Sequence, residues 1–122
     1  MVSFIQHNEM LANNKEEKSM TQYSGNYDWL MTQFNQVMNS HQELGKALRK
    51  AGPIDEKSSQ LIQLAAAAAV RSEGGVHSHV KRALNLGATP EEIYHAIILL
   101  TSTIGFPSTA AALSWAREIV EG

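Results

Sequence analysis

Ser72, Gly75, His79 and Arg82 stand at i, i+3, i+7 and i+10, which is one face if this stretch is helical. The spacing of 72, 75 and 79 is that of a C-x-x-C-x-x-x-H arrangement. There, two thiols near a helix start are acidified by the dipole, and a histidine one turn on shuttles protons. In "VRSEGGVHSHV", residues 70–80, serine and glycine occupy the thiol positions and the histidine remains. His79 is therefore the candidate general acid or base, because imidazole is poised near neutral pH. Ser72 could hydrogen-bond His79 or a ligand carboxylate from the same face, or cap a helix. His77 points to nearly the opposite side of such a helix. His77 and His79 cannot chelate one ion from a regular helix, where the usual pair is i, i+4. Glu73 is the one carboxylate of the stretch, and no metal or other cofactor is expected.

Composition narrows the chemistry. The chain has 122 residues, no cysteine, an apolar content of 43% and a formal charge of -2. Disulfides, thiolate zinc and thiol catalysis are excluded. The scattered basic residues give no footprint for nucleic acid or an anionic membrane. The first residues lack a basic region followed by a long apolar stretch, so no signal peptide is read and a cytoplasmic location is expected. Residues 93–116 carry no charge, but Gly105-Phe106-Pro107 interrupts them, and they read as two helices buried on most sides.

The elements that must position these residues are helices. Residues 1–25 are polar and read as a partly mobile N-terminal segment. Residues 26–122 read as a single helical domain. A first helix is predicted from about Tyr27 to Arg49, where Leu30, Phe34, Val37, Met38 and Leu44 recur at helical steps. Gly52 and Pro53 end it, and Asp55 is the next N-cap. The second helix carries Leu61, Leu64 and the run Ala65–Ala69, whose small side chains let a neighbouring backbone approach. "SEGG" ends or kinks it, and a further helix is predicted from about Val76 to Leu86, stopped by Gly87. Thr89, Pro90 and Glu92 form a capping box for a helix running to about Ile104, and Pro107 starts the last, to about Val120. Trp29, Phe34, Phe106 and Trp115 read as core or interface anchors. The fold class is all-α, with five or six helices.

"HVKR" at 79–82, "LGATPEEI" at 86–93 and "GFPSTAAAL" at 105–113 together resemble the carboxymuconolactone decarboxylase family, which includes the alkylhydroperoxidase AhpD-like proteins. The resemblance covers roughly residues 53–118. It implies a helical bundle that assembles with itself, commonly as trimers or hexamers, with sites among packed helices near subunit interfaces. In the peroxidase branch the cysteines fall at Ser72 and Gly75, the histidine at His79, and a proton-relaying glutamate near Gln60. This chain keeps only the histidine, so thiol peroxidase activity is not expected. The decarboxylase branch needs no cysteine and acts on a small carboxylated lactone. There a histidine at His79 would donate or accept the proton. Many members have glutamate where this chain has His95, which could approach His79 across the helix pair or from another subunit. Arg71, Lys81 and Arg82 could attract an anionic substrate. Two readings stay open: a decarboxylase-like enzyme using His79, His95, Ser72 and Gln60, and a catalytically degenerate oligomer that binds a ligand or partner.

Overall fold

The computed structural model describes residues 25–122. The expectation of a mobile N-terminal segment falls almost wholly outside the described residues. The described chain is all-α, with no strand among these residues. It divides into two compact units at Pro53/Ile54, inside the span read from sequence as one domain.

In the described part of the first unit, residues 25–33 are helical and a bend at Phe34 leads into α1 (Asn35–Lys50). Trp29 and Phe34 meet edge to face, with ring centroids 6.0 Å apart. Gln42 donates to the Tyr27 hydroxyl. Trp29 and Phe34 are each more than half exposed. Of the expectation that they anchor a core or an interface, the core half is corrected among the described residues: the rings cover each other instead.

The second unit holds α2 (Glu56–Ala69), α3 (Glu73–Asn85), α4 (Pro90–Ile98), the single turn α5 (Thr101–Ile104) and α6 (Phe106–Glu121). Its core joins Leu64, Ala67 and Ala68 of α2 to Val76, Val80 and Ala83 of α3, Ile93 and Ile97 of α4, and Ala112 and Ala116 of α6. Alanines recur on three of these helices, so side-chain bulk does not hold the backbones apart. Trp115 packs against this core, whereas Phe106 is 61% exposed.

The junctions are local chemistry. Asp55 caps α2 by accepting from the Ser58 N–H at 3.1 Å. At the far end of α2 the Ser72 N–H reaches the Ala67 carbonyl and the Arg71 N–H reaches that of Ala68. Arg71 carries a positive φ of 58°. This is a Schellman closure with arginine where glycine is usual. The same closure ends α3, with bonds from Ala88 to Ala83 and from Gly87 to Leu84 and Gly87 at φ 93°. Thr89 then forms both halves of a capping box with Glu92.

Two expectations are corrected. First, α3 begins at Glu73, not Val76, because Ser72 is its N-cap and the glycines belong to its opening turn. Second, the predicted 90–104 helix breaks at Leu99 and Leu100. There the Thr101 hydroxyl donates to the Ile98 carbonyl at 2.7 Å, and the Leu100 N–H bonds back to Ile97. A side-chain bond of this kind competes with the regular ladder. The break also leaves Ile98 and Leu99 exposed, so the charge-free stretch is not buried on most sides. No helix among the described residues is long and apolar enough to cross a membrane.

Candidate functional site

His79 lies in the middle of α3, flanked by the core residues Val76, Val80 and Ala83. Its Nδ1 is 2.8 Å from Oε1 of Gln60. Gln60 lies in the first half of α2 and is only 2% exposed. With the amide oxygen as acceptor, Nδ1 carries the proton and Nε2 becomes the basic nitrogen. Partial burial holds the imidazole below its ordinary pKa, and the charge on Arg82 one turn on adds to this. The resting side chain is therefore neutral at pH 7. An amide at position 60 orients the ring without supplying the negative charge that would raise its basicity.

Ser72 has a structural task. Its Oγ accepts from the Gly75 N–H at 3.0 Å, which caps α3. Gly75 is a tight point as well. A Cβ added there would lie 2.8 Å from Ser72 Oγ and 3.0 Å from the Ala67 Cβ. A side chain at residue 75 would therefore require the cap or α2 to shift. The C-x-x-C spacing survives, but both positions now serve the junction between helices.

His95 is exposed on α4. Of the four candidates, the structure pairs Gln60 with His79, turns Ser72 to its cap, and places His95 outside that hydrogen bond. Around them, Arg71 donates to Ser108 Oγ at 2.8 Å, tying the α2–α3 junction to the start of α6. Lys57 and Glu92 pair at 3.1 Å between α2 and α4.

One constellation escaped the sequence reading. On the other side of α3, Nε2 of His77 meets Oε1 of Glu118 in α6 at 2.8 Å, and Glu73 lies one turn before His77. One ligand atom from each of the three falls within 4.8 Å of the others. Glu73 and His77 stand at i, i+4, a visible signal. Glu118 is 41 residues from His77, and no local pattern links them.

The fold is that of a known protein. A crystal structure of an apo carboxymuconolactone decarboxylase family protein from Legionella pneumophila is similar to this chain, with a TM-score of 0.74 and 25% identity over 87% of this chain and 97% of that one. No curated protein sequence matches the chain significantly. The model of the carboxymuconolactone decarboxylase family matches residues 35–118, which takes in α1 and all the helices of the second unit up to Glu118. The chain therefore belongs to the carboxymuconolactone decarboxylase family.

Proposed function

We propose that this protein removes CO2 from a small carboxylated lactone or a related acid, with His79 as the proton carrier. The observation that carries this reading is the buried Gln60 amide fixing the His79 ring through Nδ1. A fixed tautomer with an available Nε2 is what a general acid or base needs. In the reaction, the bond from ring carbon to carboxylate breaks and its electron pair stays on carbon, delocalised into the lactone carbonyl. A proton taken up from solvent by Nε2 then passes to that carbon. A depressed pKa makes the imidazolium a stronger acid, which favours delivery. Arg82, whose charge reaches His79, would draw in the substrate carboxylate. Ser72 is reserved for the cap, and His95, exposed on α4, would be open to a ligand or to another copy of the chain.

The assay follows CO2 release from carboxylated lactones by wild type and His79→Gln. Loss of a positioned acid–base group costs about 10²–10⁴-fold in rate, and His79→Gln should fall by that much. Equal rates in the two proteins would end this reading.

The second reading is a ligand- or partner-binding oligomer without catalysis. It is favoured by one observation, the absence of a carboxylate at Gln60 beside His79. Self-association belongs to both readings. Ile62, Val70, Leu86, Ile98, Leu99 and Phe106 are large, apolar and exposed, and a small domain gains from covering such surface. We place the protein in the cytoplasm as a trimer or hexamer.

A further inference from the structure

We infer that Glu73, His77 and Glu118 form a binding site for a divalent cation of the zinc type, bridging the first turn of α3 to the last helix. The site is independent of the decarboxylase reading. His77 and His79 differ by two positions, about 200° around a helix, so the two imidazoles serve opposite sides of α3.

The donor set is chemically matched. One imidazole nitrogen and two carboxylates suit zinc and its neighbours in the first transition row, and three protein ligands leave a fourth position for water or substrate. The two carboxylates balance the charge of a divalent ion, and His77 binds as the neutral ring. Zinc–ligand bonds of about 2.1 Å set ligand–ligand edges of roughly 3.4 Å in a tetrahedron. Nε2 and Oε1 of Glu118 are already 2.8 Å apart, and all three donors lie within 4.8 Å. Glu73 and Glu118 are only partly buried, so their carboxylate torsions can adjust toward those edges.

Placement supports the same conclusion. The His77 side chain is 5% exposed and that of Glu118 26% exposed. The nitrogen ligand is thus buried, while a carboxylate at the rim gives an ion access. Glu73 sits in the opening turn of α3. The ion would take the place of the proton between Nε2 and Glu118, joining the two side chains to Glu73 in a three-point tie. A zinc-bound water at the open position would be acidified toward neutrality.

The test is calorimetric titration of tag-free, chelator-treated full-length protein with Zn²⁺, beside Glu73→Gln and Glu118→Gln. Neither variant removes the His77 ring from the core, and the Glu118→Gln side chain retains an amide oxygen for Nε2, so both should keep the wild-type circular dichroism. A Co²⁺ titration read in the visible region reports whether nitrogen and oxygen ligands surround the ion at low coordination number. We expect one Zn²⁺ per chain in wild type and at least about tenfold weaker binding in each variant, the minimum cost of disturbing even outer-shell partners. The intense visible Co²⁺ band of wild type should fade in both. Absence of uptake by wild type, or weakening below that level in either variant, overturns the assignment.

Discussion

A neutral histidine half inside a helical core has a measurable thermodynamic signature. Burial, then Arg82, lowers the His79 pKa, so the folded protein binds a proton at this position less readily than the unfolded chain, whose value is about 6.5. Between those two values the unfolded state holds more protons, and stability therefore rises with pH across that window. Below about pH 6.5 wild type should lose stability that His79→Gln keeps, so the wild-type urea midpoint should fall relative to that of His79→Gln as pH drops from 7 to 5. A constant difference would mean that the folded and unfolded proteins hold this proton equally. In the proposed reaction the same group delivers a proton, so kcat/KM for a turned-over acid should rise as pH falls toward the His79 pKa. Gln60 is the second residue at this scale. Gln60→Leu would leave the Nδ1 proton without its buried acceptor, and an unsatisfied buried donor costs about 1–3 kcal/mol. The sequence picked out His79 from its spacing to Ser72 and Gly75. It reached Gln60 only through the family resemblance, because the two residues lie 19 positions apart on different helices. The Glu118 partner of His77 was out of reach for the same reason.

Helix ends explain which parts of the architecture were legible. Asp55, Gly87 and the Thr89–Glu92 box each act within four residues of themselves, and each does what its type suggested. "SEGG" does follow the end of a helix, but the next one starts earlier than predicted, because Ser72 caps it and Gly75 lets it close against Ala67. The break at Leu99 lies in an apolar run with no glycine or proline, and the competing bond comes from Thr101. Gly75→Ala therefore makes a sharp test. In an open helix that change would stabilise by removing the entropy cost of glycine, about 0.5–1 kcal/mol. At this position the new methyl meets Ser72 Oγ at 2.8 Å and the Ala67 Cβ at 3.0 Å, and overpacking costs about 1–3 kcal/mol. Both contacts lie at a helix junction with little room to give, so crowding should win and Gly75→Ala should lower the urea midpoint. An increase would mean that the cap and α2 move aside easily. Thr89→Ala should cost about 1 kcal/mol by removing an N-cap, read in the same denaturation series.

At the scale of the whole molecule, the charge-free stretch 93–116 poses the sharpest question. Its inner residues Ile93, Ile97, Ala112 and Ala116 are fully buried, while Ile98, Leu99 and Phe106 face solvent in the single chain. Isolated exposed apolar residues are ordinary on a protein surface. A long stretch without any charge is a different matter, because nothing in it keeps two copies apart. If these side chains remain in water, Leu99→Glu changes only a residue that is 62% exposed, and such a surface substitution shifts stability by no more than about 0.5 kcal/mol. If they pack against another copy, a carboxylate is forced into an apolar interface and assembly fails. Light scattering after size exclusion should then report a trimer or hexamer for wild type and a smaller species for Leu99→Glu. The melting temperature of wild type should also rise with protein concentration, since association stabilises the folded chain by mass action. A monomeric wild type, or a Leu99→Glu protein of unchanged mass, would return this face to solvent.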